Sequence, residues 1–490
     1  MQFKLVGKNI SGLTGGCLAV GVYEGQVLTP LGKEVDQAMT GLLSDFLKDI
    51  GFEAKCGNSV FMPGHKDIKF KNIVVVGLGK KEELRPDVVR QASAAALKKA
   101  KEIKNADLFL EMLGKEVLGD KVAKYLVEGI LLGNYHFDKY KRKKETEIEV
   151  SEIKILEDDS VQDTVLEGQL LAEGANFVRD LVNEPGNVIR PEDLAQRARD
   201  LAREYGLECT VFNEEELKKR GMNGILAVGQ GSAHPPRFIH LVYRPQPALK
   251  KIVFVGKGIT FDSGGLDIKP EQFMKTMKCD KAGACAVLGL MKLVAQLKLP
   301  LEVHGLIPTA ENMPGGNAFH PDDIIVYNNG KSVEIDNTDA EGRLILADAL
   351  IYGSNLKPDY MIDMATLTGA CMVALGRLTT GVFTENQALA TEIKETGEET
   401  GEKFWPLPLD EDLKEDIKGK FGDIKNVGSR YGGAITAGLF LKEFVGDKVK
   451  NWVHLDIAGP AFLEKPWKYY AEGATGVPVR TLLEWLKGIK

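Results

Sequence analysis

Two spatial periods trade places along the first third of the chain. The runs "GCLAVGVYE" (residues 16–24) and "FKNIVVVGLG" (70–79) are short and apolar, as strands are. Between and after them, "KEVDQAMTGLLSDFLKDIGF" (33–52) and "PDVVRQASAAALKKAKEIKNA" (86–106) place apolar residues on one helical face. "ADLFLEML" and "KVAKYLVEGILLGNYHF" repeat the alternation, and such βαβ ordering predicts a mainly parallel or mixed sheet covered by helices. A charged break, "DKYKRKKETEIEVSE" at 138–152, reads as a solvated segment near a domain edge. Beyond it, Leu166, Leu170, Phe177 and Leu181 share a face in "SVQDTVLEGQLLAEGANFVRDLVN", which predicts a connecting helix. A second α/β region follows from "NEPGNVIRPEDLAQ", with Pro191 early in a new helix. Its strands are expected at "GILAVGQ", "RFIHLVYR", "KKIVFVGKG", "LEVHGLIPT", "DYMIDMATL" and "WVHLDIAG".

Length sharpens this picture, because 490 residues exceed one ordinary core and predict two domains. The formal charge of −7 argues against a general nucleic-acid binder. Six scattered cysteines form no CxxC pair, the opening "MQFKLVGKNI" lacks a signal-peptide core, and no apolar run is long enough for a membrane span. An intracellular, cytoplasmic protein is expected. The glycine-rich turns "GLGKKE", "GQGSAHPP" and "GKGITFDSGG" match neither a complete dinucleotide fingerprint nor a P-loop.

Charge concentrates at two places where a strand stops. The first holds Lys257, Asp262, Lys269 and Asp280; the second, "NTDAEGRL" (337–344), holds Asp339, Glu341 and Arg343. Taken singly, Asp280 could cap a helix, Asp262 a turn, and Thr338 with Glu341 could form a capping box. Side by side, four carboxylates would repel one another unless cations compensated them, and two divalent ions would balance the charge. In an extended backbone Asp339 and Glu341 would point the same way. Oxygen-rich ligation suits Mn²⁺, Mg²⁺ or Zn²⁺, and no histidine lies in either segment. Lys257 and Lys269 could ligate, polarise a carbonyl or pair with the acids, and Arg343 could hold a small oxyanion. A two-metal centre with cationic partners suits hydrolysis.

These residues resemble the leucyl (cytosol) aminopeptidases, whose signature is "NTDAEGRL". The likeness extends through "DLVNEPGNVIRP", "VGQGS", "VGKGITFDSGGLDIKP", "MKCDKAGA", "AENMPGGNAFHPDDII", "MATLTGA" and "HLDIAG". It implies a smaller macro-like α/β domain over 1–158, a connecting helix over 159–183, and a larger α/β catalytic domain with a mixed central sheet over 184–490. It also implies that Lys257 and Asp280 ligate one metal, Asp262 and Glu341 bridge both, and Asp339 ligates the other, with manganese or zinc bound. Lys269 would polarise the scissile carbonyl, and Arg343 would hold a bicarbonate acting as general base. Met277, Thr366, Gly369 and Ala458 would wall the pocket for the first side chain, and the backbone of Leu367 would touch the peptide. Ala461 stands where some members carry a bulkier apolar residue, so a roomier pocket is expected. The resemblance implies peptide substrates, apolar N-terminal residues preferred, and a homohexamer. It gives His454 no catalytic part, which leaves a buried structural histidine. Two alternatives remain open: a two-metal phosphoesterase, and a secondary DNA-binding role that the acidic balance speaks against.

Overall fold

The structure is a computed structural model in which residues 1–142 and 148–489 are described; positions 143–147 of the charged break lie outside them. The chain forms two compact α/β units. One comprises Met1–Glu173 with Glu399–Gly401 and Lys465–Glu472; the other comprises Gly174–Glu398, Glu402–Glu464 and Gly473–Lys490.

Among the described residues, seven strands form the sheet of the first unit. Its centre is parallel: Gly15–Tyr23 lies between Phe70–Gly77 and Asp107–Leu110. The alternation of strand side chains explains why Gly15–Tyr23 is apolar throughout. Cys17 and Ala19 enter a core with Val89 and Leu126, while Leu18 and Val20 enter another with Val35 and Leu47. The single helix expected over 33–52 is two, Pro30–Ala38 and Leu42–Asp49. Thr40 and Gly41 break it, at φ 57° and 90°, in the left-handed region that a continuous helix cannot contain.

The sheet of the second unit has nine strands among the described residues. Four parallel strands form its middle, in the order Trp452–Asp456, Tyr360–Ala365, Lys251–Gly256 and Glu302–Asn312. Antiparallel strands Thr379–Phe383 and Arg237–Tyr243 flank them, which makes the sheet mixed. "GILAVGQ" is not the strand that its apolar run predicts, but part of a helix over Asn223–Gly229. A carboxylate oxygen of Asp348 accepts the Ile225 N–H at 2.9 Å, satisfying a donor that a helix start leaves orphaned. Ile225 and Val228, three apart, face the core together.

Chain order places Lys251–Gly256 first, then Glu302–Asn312 on one side of it and Tyr360–Ala365 on the other. Strand order therefore reverses there, and the loops leaving the carboxyl ends of these strands diverge. The helix Ala282–Gln296 packs unusually close to that point. A Cβ on Gly283 would stand 2.1 Å from the Met364 carbonyl oxygen, so only glycine lets the helix start there.

Candidate metal centre

Every charged residue picked out in the sequence sits at this crevice. Lys257 directly follows the Lys251–Gly256 strand, and its backbone is clamped by Met364 O (3.0 Å) and the Ala284 N–H (2.9 Å). Its Nζ donates to Asp280 Oδ1 at 2.8 Å and to Thr366 O at 3.0 Å, and lies 2.9 Å from Glu341 Oε1. Lys269 Nζ lies 2.9 Å from Asp262 Oδ2 and also ion-pairs with Asp339. One oxygen each from Asp262, Asp280 and Glu341 falls within 4.8 Å of the others. All three residues are buried.

Local folding decides which bland readings hold. Asp280 is no helix cap: it lies in a 3₁₀ turn, Met277–Lys281, and accepts from the Lys257 ammonium and from the Thr366 hydroxyl at 2.7 Å. The capping box does not form. Thr338 Oγ1 donates to Gly264 O (2.7 Å) and accepts from the Asp267 N–H (2.9 Å), while the Glu341 carboxylate goes to Lys257. Asp262 does cap a turn, accepting the Gly264 N–H at 2.9 Å, and faces the cluster as well. That turn needs glycine, since Gly264 and Gly265 hold φ of 89° and 67°. Residues 338 and 339 form a turn, not the extended backbone expected, so Asp339 and Glu341 diverge onto different lysines.

The electrostatics are those of a cluster short of positive charge. Two lysines against four carboxylates leave a formal −2. Burial pushes Asp280 up to about 6, with Lys257 opposing and Glu341 adding to the rise. Burial, then Glu341 and Asp280, also raises Asp262 well above the ordinary carboxylate range. Burial works against ionised Glu341 too, but Lys257 and Lys269 outweigh it and hold Glu341 low. Burial likewise opposes the Lys257 charge, yet Asp280, Glu341 and Asp262 raise its pKa. Asp280 Oδ2 is buried with no hydrogen-bond partner among the described residues. An unbonded carboxylate oxygen inside a net-negative buried cluster fits divalent cations, which would bond it and restore neutrality.

Arg343 is nearly buried. Its Nη1 donates to Asn426 O at 2.6 Å, its guanidinium lies 6.0 Å from the Phe440 ring, and its Nε has no partner among the described residues. Burial lowers its pKa to about 10, with Glu341 and Asp456 opposing. Met277, Leu367 and Ala458 are partly exposed and Gly369 is exposed, whereas Thr366 is buried and reaches Asp280. Ala461 is buried at 2% exposure. His454 is a buried structural group: its Nδ1 lies 2.5 Å from Asp363 Oδ1, and Trp452 Nε1 donates to the other oxygen at 2.8 Å.

Sequence reasoning missed three side chains that hold the site together. The Asn312 amide donates to Asp262 Oδ1 (2.9 Å) and Thr338 O (3.0 Å), joining the two charged segments. Asn426 accepts the Asp336 N–H (2.8 Å) and donates to Asn337 O (2.7 Å), clamping the "NTDAEGRL" turn. Lys281 Nζ donates to Val182 O, Glu184 O and Lys278 O, bracing the turn that carries Asp280. Their one sequence signal is a polar residue beside an apolar run, which is too common to select them.

Comparison with known proteins bears on this geometry over nearly the whole chain. The description "Cytosol aminopeptidase family, catalytic domain" matches residues 176–483, and the N-terminal domain of the same family matches residues 19–144. The chain belongs to the cytosol aminopeptidase family. A probable cytosol aminopeptidase of Aquifex aeolicus is 49% identical over 490 residues, 99% of this chain and 98% of that protein. One from Persephonella marina is 49% identical, covering 94% of each. Among solved structures, a mutant of tomato leucine aminopeptidase aligns with TM-score 0.90 at 33% identity, over 100% of this chain and 97% of that one. The bottromycin maturation enzyme BotP in complex with Mn aligns with TM-score 0.87 at 36% identity, over 97% and 99%. Membership makes the chain a metallohydrolase of the leucyl aminopeptidase type, a metal-dependent exopeptidase acting at peptide N-termini. No described helix is long and apolar enough to cross a membrane.

Proposed function

We propose that the chain removes N-terminal residues, leucine and other apolar ones preferred, from peptides by a two-metal mechanism in the cytoplasm. The observation that carries this reading is the buried meeting of Lys257, Asp262, Asp280 and Glu341, with one Asp280 oxygen left unbonded. Lys257, Asp262, Asp280, Asp339 and Glu341 would together hold two divalent ions, with Lys257 and Asp280 at one end of the cluster and Asp339 at the other. The manganese complex of BotP favours Mn²⁺, with Zn²⁺ the alternative. When bound, the ions supply carbonyl polarisation and acidified water, and a bicarbonate supplies a general base.

The chain's own groups do the rest. Lys257 would have to be neutral to join a metal ion, because only the free amine has a lone pair, and the positive charge of the bound ions would favour that form. Lys269 stands beside Asp262 with only 14% of its side chain exposed and places its charge on the oxygen of the tetrahedral intermediate. Arg343 keeps Nε free for a small oxyanion while Asn426 fixes its other end. Met277, Thr366, Gly369 and Ala458 line the pocket for the first side chain, and the Leu367 backbone runs along the peptide. The enzyme assembles as a homohexamer, which light scattering at micromolar concentration tests directly.

The deciding experiment assays Leu-p-nitroanilide and p-nitrophenyl phosphate side by side, with Mn²⁺ and after chelation. Metal-dependent release from the amino-acid anilide alone is expected. Turnover of the phosphate ester alone would replace the reading with a phosphoesterase.

A further inference from the structure

The strands Tyr360–Ala365 and Trp452–Asp456 run parallel and stop at the same level, with Ala365 opposite Asp456. The two chains leaving them carry Leu367 and Ala458, both partly exposed. Between these chains sits the fully buried side chain of Asp456. Its Oδ1 accepts the Leu367 N–H at 3.2 Å and the Ala458 N–H at 3.1 Å, and its Oδ2 accepts the Thr368 hydroxyl at 2.7 Å. Thr368 in turn accepts the Cys371 N–H at 3.0 Å and starts the helix Gly369–Leu375.

On the other flank, the Thr366 carbonyl accepts from Lys257 and its hydroxyl donates to Asp280. The segment 366–368 is thus strung between the metal-holding groups on one side and Asp456 on the other. Among the described residues, the Asp456 carboxylate bonds Leu367, Thr368 and Ala458 and makes no hydrogen bond to a metal-holding carboxylate. A buried carboxylate with three donors is a rigid anchor, because releasing any donor leaves a polar group unsatisfied.

We infer that Asp456 is a positioning residue for substrate: it sets the spacing between the Leu367 and Ala458 chains, and so the width of the slot that takes the N-terminal residue. This rests on the proposed substrate path along Leu367 and Ala458. Asp456 is expected to govern how tightly substrate is held, leaving metal occupancy alone. Substituents separate shape from charge. Asp456→Asn keeps an oxygen for the two amides, and the Thr368 hydroxyl can reverse to accept from the new amide. Asp456→Glu keeps the charge but inserts a methylene that forces the chains apart.

The test uses the Mn²⁺-loaded full-length protein and both variants. It reads KM and kcat for Leu-p-nitroanilide, metal content by mass spectrometry, and calorimetric binding of a non-cleavable reduced-bond Leu-Leu analogue. Asp456→Glu is expected to raise KM and weaken analogue binding by about tenfold or more, the size of losing one charge-assisted hydrogen bond. Its kcat and metal content should stay near wild type, and Asp456→Asn should stay within about threefold of wild type throughout. A normal Asp456→Glu with an impaired Asp456→Asn would show that charge matters and overturn the inference. So would metal loss in Asp456→Glu, or a lowered melting temperature with KM and analogue binding intact. If Asp456→Glu fails to fold, an Asp456→Asn variant with KM raised tenfold overturns it, and one at wild-type KM supports it against a role for charge. Wild-type protein that cleaves no anilide would instead refute the proposed function, whatever the variants do.

Discussion

Replacing Lys269 with methionine separates catalysis from metal holding. The ammonium lies 2.9 Å from Asp262 Oδ2 and pairs with Asp339, so it is the cation at the Asp262–Asp339 side of the cluster, as Lys257 is at the Asp280–Glu341 side. Removing it takes the metal-free cluster from a formal −2 to −3, which strengthens its attraction for cations. Metal content should therefore be kept. The charge lost is the one proposed to meet the developing oxyanion, and removal of such donors costs about 2.7–4 kcal/mol, or roughly 10²–10³ in kcat. Partial exposure of Lys269, 14% of its side chain, places the expected loss toward the lower end. The assay is kcat on Leu-p-nitroanilide at saturating Mn²⁺, with metal per chain measured on the same sample. A kcat within about threefold of wild type would refute the assigned role, and loss of metal would show that Lys269 holds the cluster together instead.

The opposite pattern is expected for Asp280→Asn, which removes the charge that faces Lys257: metal per chain falls toward half, and turnover falls with it. Full metal content by mass spectrometry would exclude Asp280 as a ligand. Gly342→Ala tests why the signature contains glycine, since a Cβ there would stand 2.4 Å from Lys257 Cε and 2.6 Å from Nζ. Overpacking typically costs about 1–3 kcal/mol, so a lower melting temperature together with weaker metal binding is expected; unchanged values for both would contradict the close approach. Acid should release the metals. The Asp280 carboxyl, raised to about 6 by burial, favours the protonated fold, a contribution present at low pH and lost as pH rises through 6. Protons therefore compete with metal below that value, and Mn²⁺ affinity measured by calorimetry should fall steadily from pH 6 to 5. A flat profile would remove Asp280 from the site.

Much of this protein was legible along the chain because its information is local. Period-two and period-3.6 patterns gave the parallel strands and most helices, since those segments are buried on predictable faces. "NTDAEGRL", "KGITFDSGGLDIK" and "MKCDK" named the charged residues of the crevice, because the chemistry needs those residue types close to strand ends. Local patterning failed where a partner distant in sequence decided the outcome. "GILAVGQ" has the composition of a buried strand and is a helix because Asp348 meets its first turn, a contact 123 residues away in sequence. Thr338 and Glu341 spell a capping box and form none, because the Thr338 hydroxyl bonds the Gly264–Asp267 turn and Glu341 meets Lys257. The sequence by itself determined which groups are present and that they lie where strands end. Only the tertiary structure decided that Lys257 faces Asp280 and Glu341, that Lys269 faces Asp262 and Asp339, and that Asn312, Asn426 and Asp456 tie the turns to one another. Pairings of this kind depend on which strand ends become neighbours, and strand order belongs to the folded sheet.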